Sequence, residues 1–133
     1  MTEQEVRELL GERLERLSPA AHDELRHPDY VLELPQSGER IRGHDNLRAF
    51  RAAYPDPPAI QPRRLIGAGD LWVVEAVRTD ASGRLYVVGI IEFRDGRIWR
   101  DTRWFGSPLE APAWRAQWTE RTKESPAPDA TAT

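Results

Sequence analysis

The 133-residue sequence contains no cysteine, a single methionine and three histidines. The lack of cysteine excludes disulfides, thiol nucleophiles and cysteine-ligated metals. The histidines, His22, His27 and His44, are spaced badly for an all-histidine metal site. We therefore expect chemistry that uses neither a metal nor a cofactor.

Long apolar runs and an excess of positive charge are also missing. No stretch approaches the roughly 18 apolar residues that cross a bilayer, and the polar segment Met1–Glu5 does not form a signal peptide. The net charge of −3 and the pI of about 5.7 argue against nucleic-acid binding. These absences predict a cytoplasmic protein that binds neither membranes nor nucleic acids.

Proline is absent from residues 63–107, although the chain has 11 prolines. A long proline-free stretch is typical of central strands, because every amide there must donate to a neighbouring strand. Residues 123–133 are small, polar and proline-rich, which predicts a disordered tail. The remaining residues, 1–122, have the length of one domain.

Hydrophobic periodicity predicts a mixed α+β domain. Apolar residues from Val6 to Leu17 recur at helical spacing, Ser18-Pro19 begins a second helix, and a third follows Gly43. A C-terminal helix is predicted from Pro112, with Trp114 and Trp118 on one face. Strands are predicted near residues 30–34, 40–42, 60–67, 71–79, 84–94 and 97–105.

Two turns allow the strand registers to be predicted. A loop over Asp80–Gly83 would pair Trp72 with Ile91 and, further along, Val74 with Gly89. The second turn, at Asp95-Gly96, fits either a two-residue primed turn or a three-residue loop with Gly96 in a left-handed bulge. The three-residue loop would pair Ile91 with Trp99 and Gly89 with Asp101.

Both faces of the predicted sheet are too apolar to be solvated, so both must be covered. The helices can cover one face. The other needs a partner sheet, and a second copy of the chain is the simplest source. We therefore expect a homodimer formed through the convex face of the sheet.

Three segments carry a family resemblance: Leu34–Gly43, Glu92–Ile98, and Trp104-Phe105 followed by Pro112–Arg115. Over roughly residues 3–120 the chain resembles the nuclear-transport-factor-2-like superfamily and, within it, the SnoaL-like proteins. The resemblance implies a cone-shaped α+β fold, in which a strongly curved mixed or antiparallel sheet wraps around N-terminal helices and a pocket opens at one end. Family members commonly dimerise through the back of the sheet.

The resemblance also suggests where a pocket would lie. Family pockets use alternate residues of the last strand, which here are Trp99, Asp101, Arg103 and Phe105, and this favours the three-residue loop. Ketosteroid isomerases of this superfamily carry catalytic groups at positions that look like Leu34, Leu10 and Gly89 or Ile91. Limonene-type epoxide hydrolases carry a catalytic triad at positions that look like Ala76, Arg78 and Arg103 in this sequence. Neither catalytic set is present here.

Asp101 is the candidate acid or base, since burial among aromatic groups would make it more basic. The alternative is a structural ion pair with Arg103 or Arg78, which would keep Asp101 charged and weakly basic. Either arginine could instead hold a ligand oxygen. Glu33 faces the pocket only if a bulge precedes Pro35. The further candidate ligand contacts are Trp72, Gly89, Ile91, Trp99, Tyr54 and Phe105.

Two kinds of function remain open at this point. The first is binding of a small hydrophobic or aromatic molecule, with isomerase- or cyclase-type proton transfer by Asp101 and Arg103. The second is a non-catalytic ligand-binding or dimeric interaction module of the same fold. Core packing competes with ligand stacking as the role of Trp72 and Trp99.

Overall fold

The structure, a computed structural model, describes residues 1–14, 17–54 and 59–123. The helices are α1 (Glu3–Glu8), α2 (Pro19–Leu25) and α3 (Gly43–Ala52), with a π-helical segment at Leu9–Arg13 and a 3₁₀ helix at Ala113–Trp118. The strands are β1 (Arg26–Leu34), β2 (Glu39–Arg42), β3 (Ala59–Ala68), β4 (Leu71–Asp80), β5 (Gly83–Arg94) and β6 (Arg97–Gly106). The predicted tail lies outside the described residues from position 124 onward.

Side chains cap both N-terminal helices, and the second begins at the residue that the sequence predicts. The Thr2 hydroxyl accepts from the Glu5 amide while the Glu5 carboxylate accepts from the Thr2 amide, which forms a capping box. Ser18 caps α2, and Pro19 occupies its first turn, where no amide proton is needed. None of the described helices is long and apolar enough to cross a membrane.

The six strands form one curved sheet in the order β2-β1-β6-β5-β4-β3. The β1–β6 pair is parallel, and the other four pairs are antiparallel. Beyond the end of the parallel pair, the Gln36 amide group exchanges two hydrogen bonds of 2.6 Å with the backbone of Phe105. This arrangement confirms the predicted α+β fold with a mixed sheet.

The β4–β5 register confirms the prediction from the Asp80–Gly83 turn. Trp72 pairs with Ile91 and Val74 with Gly89, and the ladder continues to an Asp80–Gly83 pair.

The three-residue loop that the sequence analysis favoured, and the β5–β6 register that follows from it, were wrong; the alternative two-residue turn is the one observed. Arg94 pairs with Arg97 across a two-residue turn, in which Asp95 and Gly96 have φ angles of 53° and 75°. A register shift follows between the Phe93–Ile98 and Glu92–Arg100 pairs, because Trp99 is one extra residue on β6. As a result, Ile91 pairs with Asp101 and Gly89 with Arg103. The error is two residues, so Asp101 and Arg103 keep the predicted face.

The core lies between the concave face of the sheet and the N-terminal helices. Trp72 is fully buried there, its indole N–H donates to the Gly69 carbonyl at 2.9 Å, and the Arg7 guanidinium lies 5.1 Å from its ring. The buried core side chains are Val6, Leu9, Leu10, Leu14, Tyr30, Leu32, Leu47, Trp72, Ile91, Phe93 and Ile98.

The convex face of the sheet carries several large apolar side chains that are exposed. Ile66, Leu71, Val88 and Trp104 all lie on this face, with exposures of 51%, 54%, 37% and 44%. The chain itself therefore leaves large apolar side chains on this face in contact with solvent.

The predicted C-terminal helix is a short 3₁₀ helix. With three residues per turn, side chains four apart no longer share a face. The prediction that Trp114 and Trp118 share one helix face was therefore wrong, and each is 73% exposed.

Candidate functional site

A cavity of about 460 Å³ lies between the concave face of the sheet and the N-terminal helical segment. Its walls are mostly aliphatic, and Asp101 and Arg103 are among its polar lining residues. We call it the first cavity. It is lined by Leu10, Gly11, Leu14, Ile60, Gln61, Pro62, Arg63, Val74, Ala76, Val87, Gly89, Ile91, Asp101 and Arg103.

Asp101 and Arg103 form a bidentate ion pair in this cavity. Arg103 Nε donates to Asp101 Oδ1 at 3.2 Å, and Arg103 Nη2 donates to Oδ2 at 3.0 Å. The Asp101 side chain is 2% exposed and that of Arg103 is 25% exposed. The two residues are neighbours because they alternate on β6, which places both side chains on the concave face. The structural ion pair weighed above is therefore present.

Gly89 provides open space beside this pair. Gly89 on β5 pairs directly with Arg103 on β6. A Cβ atom added at Gly89 would meet no heavy atom within 4 Å. A larger side chain at this position would project into the first cavity. Gly89, predicted as a ligand contact, therefore lies in the lining of the first cavity.

A smaller cavity, of about 160 Å³, adjoins the first one at the end of α3. We call it the second cavity. Ile60, Val87 and Arg103 line both cavities, so Arg103 stands at their boundary. The other residues that line the second cavity are Leu32, Leu34, Phe50, Arg51, Tyr54, Arg78 and Phe105.

Arg78 lies between two aromatic rings in the second cavity. Its guanidinium carbon is 5.4 Å from the Tyr54 ring centre and 5.6 Å from that of Phe105. Arg78 Nη2 donates to Asp80 Oδ2 at 3.3 Å, so its carboxylate partner is Asp80 and not Asp101.

A buried polar cluster formed by Tyr30, Arg26 and His22 was not predicted from the sequence. Burial is the main reason that the pKa of Tyr30 is raised to about 12, and the nearby Asp101 charge adds to the effect. The Arg26 guanidinium lies 5.1 Å from the Tyr30 ring centre, and its Nη1 atom is 2.6 Å from His22 Nδ1. The four-residue spacing of His22 and Arg26 was the available sequence signal for this contact, because residues four apart on a helix are neighbours. Arg26, however, is the first residue of β1 and not part of α2.

His22 lies between two guanidinium groups, since Arg51 Nη2 is 3.2 Å from its Nε2 atom. Burial, followed by the charges of Arg26 and Arg51, lowers the pKa of His22 to about 4. His22 is therefore neutral at pH 7. A neutral imidazole has one acceptor nitrogen, so it can accept a hydrogen bond from only one of the two arginines.

The structure brings together most of the predicted site residues. Gly89, Ile91, Asp101 and Arg103 line the first cavity, and Tyr54, Arg78, Phe105 and again Arg103 line the second.

Trp72 and Trp99 require a correction, because neither lines the two cavities. Trp72 belongs to the core. Trp99 is displaced by the β6 bulge and is half-buried beneath Arg94, whose guanidinium carbon lies 3.8 Å from the ring centre. Core packing, the competing role considered for both, fits Trp72 alone.

Glu33 lies on the convex face and does not reach a cavity. Its carboxylate pairs with Arg40 at 2.7 Å and with Arg100 at 3.5 Å. Glu92 also pairs with Arg100, at 3.8 Å, and Glu75 pairs with Arg64 at 3.0 Å. Within residues 1–14, 17–54 and 59–123, no group of three His, Asp or Glu side chains could hold a metal ion.

Fold and cavity together define a nuclear-transport-factor-2-like protein, with a curved sheet closed over a pocket by N-terminal helices. A family model described as SnoaL-like domain matches residues 6–101. The chain belongs to this SnoaL-like family.

Two solved structures illustrate the relationship. An NTF-2 like protein of unknown function from Burkholderia xenovorans is 38% identical, with a TM-score of 0.71 over 78% of this chain and 82% of that chain. A putative ketosteroid isomerase from Kribbella flavida is 29% identical, with a TM-score of 0.72 over 86% of this chain and 82% of that chain. No curated protein sequence matches this one.

Proposed function

We propose that this protein binds a small hydrophobic molecule in the first cavity and that Asp101 and Arg103 transfer a proton on it. The observation that carries the proposal is a nearly fully buried carboxylate, Asp101, in an otherwise largely aliphatic cavity of about 460 Å³. Small-molecule sites typically combine apolar walls with a few convergent polar groups. The similarity to a putative ketosteroid isomerase supports isomerase-type chemistry in general.

Each residue would have a defined role in such a reaction. An Asp101 oxygen would accept a proton from a carbon next to a carbonyl, so that the C–H bond breaks and an O–H bond forms. The electron pair would move onto the carbonyl oxygen, where the Arg103 guanidinium would stabilise the negative charge. Return of the proton to another carbon would complete an isomerisation and regenerate Asp101.

Steroid isomerisation itself is not part of the proposal. The positions that resemble the catalytic residues of ketosteroid isomerases are occupied by Leu34, Leu10 and Gly89 or Ile91. Leu10, Gly89 and Ile91 line the first cavity, and Leu34 lines the second. None of these side chains can exchange a proton.

Non-catalytic ligand binding is the second candidate function. It is favoured by the bidentate contact, in which Arg103 donates to both oxygens of Asp101. A carboxylate held this way must loosen its contact with Arg103 before it can act as a base. The two candidates therefore differ in chemistry and share the same binding cavity.

The bicyclic ketone 2-tetralone separates the two candidates, because it is apolar and has exchangeable protons beside its carbonyl. We expect the protein to bind it and to accelerate its deuterium exchange in D₂O, followed by NMR. Asp101→Asn should reduce the exchange by about 100-fold or more, the usual size of a general-base effect, while binding persists. Binding without accelerated exchange would support the non-catalytic candidate.

Gly89→Val provides the test of location, because its side chain would project into the first cavity beside Asp101 and Arg103. Gly106→Val is the matched control, since Gly106 also has open space at its Cβ position but lines neither cavity. Loss of 2-tetralone binding in the first variant alone is the expected result. Equal binding by both variants would contradict the assignment of the ligand to this cavity.

We also propose that the convex sheet face mediates a homodimer. The four exposed apolar side chains there (Ile66, Leu71, Val88 and Trp104) support this, because burial of such a patch between two copies is favourable. We expect the wild-type protein to sediment as a dimer at micromolar concentration and Trp104→Glu to sediment as a monomer. Asp45→Lys, on the 97%-exposed Asp45 side chain of α3, is the charge-changing control and should remain dimeric. A monomeric wild-type protein would refute the proposal.

A further inference from the structure

The second cavity shares three lining residues with the first, Ile60, Val87 and Arg103. A ligand in the first cavity that displaces the Arg103 side chain would extend towards the second cavity. The second cavity is the smaller of the two, at about 160 Å³, so it suits one functional group rather than the body of a ligand.

The charge of the second cavity distinguishes it from the first. Arg51, Arg78 and Arg103 all line it, and its described lining residues include no carboxylate. Arg78 and Arg103 each pair with one carboxylate, that of Asp80 and that of Asp101, and an anion in the second cavity would add a further charge-assisted contact to these guanidinium groups.

The guanidinium group of Arg78 is preorganised to bind such an anion. The Tyr54 and Phe105 rings lie against its guanidinium group, which restricts its motion before a ligand arrives. Among the described residues, its guanidinium makes one hydrogen bond, to Asp80, and its buried Nε atom has no acceptor. A buried donor without a partner costs free energy, and an acceptor supplied by a ligand would recover it.

We propose, on the basis of the function proposed above, that the natural ligand is a hydrophobic carboxylate whose anionic group binds Arg78 in the second cavity. The apolar part of the ligand occupies the first cavity, next to Asp101. A carboxylate is favoured because its two oxygens match the planar donor fork of a guanidinium group. Tyr54 and Phe105 then act as positioning residues, since they hold Arg78.

Two probes that differ in charge test this inference: 2-naphthoate and its neutral amide, 2-naphthamide. We expect titration calorimetry at low salt to show at least tenfold tighter binding of the carboxylate. The preference should weaken as salt is added, because an ionic contact is screened.

Arg78→Met removes the charge and keeps much of the side-chain volume. It should abolish the preference for 2-naphthoate and leave the affinity for 2-naphthamide within about twofold of the wild-type value. Arg78→Lys, which keeps the charge without the planar fork, should retain part of the preference, and it provides a second reading if the methionine variant does not fold. Arg64→Met is the matched control, because Arg64 pairs with Glu75 on the convex face.

The outcomes separate this inference from the function on which it rests. Equal affinity for the two probes, or a preference that survives in Arg78→Met, would overturn the carboxylate assignment while leaving hydrophobic binding intact. If neither these probes nor 2-tetralone bind, the proposed function and this inference are both wrong. A preference lost in both Arg78→Met and Arg64→Met would indicate general electrostatic attraction and would also overturn the assignment.

Discussion

Replacement of Arg103 by alanine is expected to lower the free energy of unfolding by about 3 kcal/mol. The variant would leave the Asp101 carboxylate, which is 2% exposed, without the two hydrogen bonds that now satisfy its oxygens. A buried charge without a partner retains its desolvation penalty and loses the attraction that offset it. Urea denaturation followed by circular dichroism measures the difference.

Arg64→Ala is the control for this prediction. It removes an arginine from a pair with the same kind of bidentate contact, but the side chains of Arg64 and Glu75 are 63% and 44% exposed. An exposed pair contributes only about 0–1 kcal/mol. If both alanine variants lose the same small amount, the burial argument for Asp101 is wrong.

The double variant Asp101→Leu with Arg103→Met separates stability from chemistry. Replacement of both charges by apolar groups of similar size should recover most of the stability that Arg103→Ala loses. It should also abolish any proton exchange on 2-tetralone, because both proposed reacting groups are gone. A double variant less stable than Arg103→Ala would show that the ion pair adds to the free energy of unfolding and does more than neutralise two buried charges.

Stability is also expected to fall between about pH 6.5 and pH 4 because of His22. The pKa of His22 in the folded protein is lowered to about 4 from a reference value of 6.5, so the unfolded chain binds this proton first as the pH decreases. The stability associated with neutral His22 is complete above pH 6.5 and is lost as the pH falls towards 4. Over that interval the loss amounts to about 3 kcal/mol, since each pKa unit corresponds to about 1.4 kcal/mol.

The measurement compares wild type with His22→Gln in urea denaturation at several pH values. The glutamine side chain would keep an acceptor for Arg26 and would not titrate, so the stability of this variant should depend less steeply on pH over the same interval. Carboxylates contribute equally to both curves, and the difference between the curves isolates His22. Parallel curves would contradict the assignment of the lowered pKa to burial between Arg26 and Arg51.

Turn chemistry explains which parts of the fold could be predicted from the sequence. The Asp80–Gly83 turn determined the β4–β5 register, because that ladder runs without a bulge. The next hairpin contains a bulge at Trp99, and the turn at Asp95-Gly96 carries no information about it. The site residues Asp101 and Arg103 were nevertheless placed on the correct face, because a shift of two residues preserves the side-chain alternation.

The rest of the candidate site depends on tertiary packing. Residues of the N-terminal helical segment and of β3, such as Gly11 and Gln61, line the first cavity, and no periodicity along either segment indicates this. Likewise, His22 meets Arg51 from a helix 29 positions further along the chain. Contacts of this kind follow from how elements pack, which local patterns do not specify.

The parallel pairing of the first and last strands has a consequence for how the protein is made. The Gln36–Phe105 contacts that extend this pairing span 69 positions, so the ribosome releases β1 long before its partner β6 exists. Until then, β1 and β5 present unpaired edges that can join other chains. Because Asp101 and Arg103 lie on β6, the first cavity is completed only after β6 has been synthesised, and a chain truncated before β6 would lack both residues and the strand that joins β1 to β5.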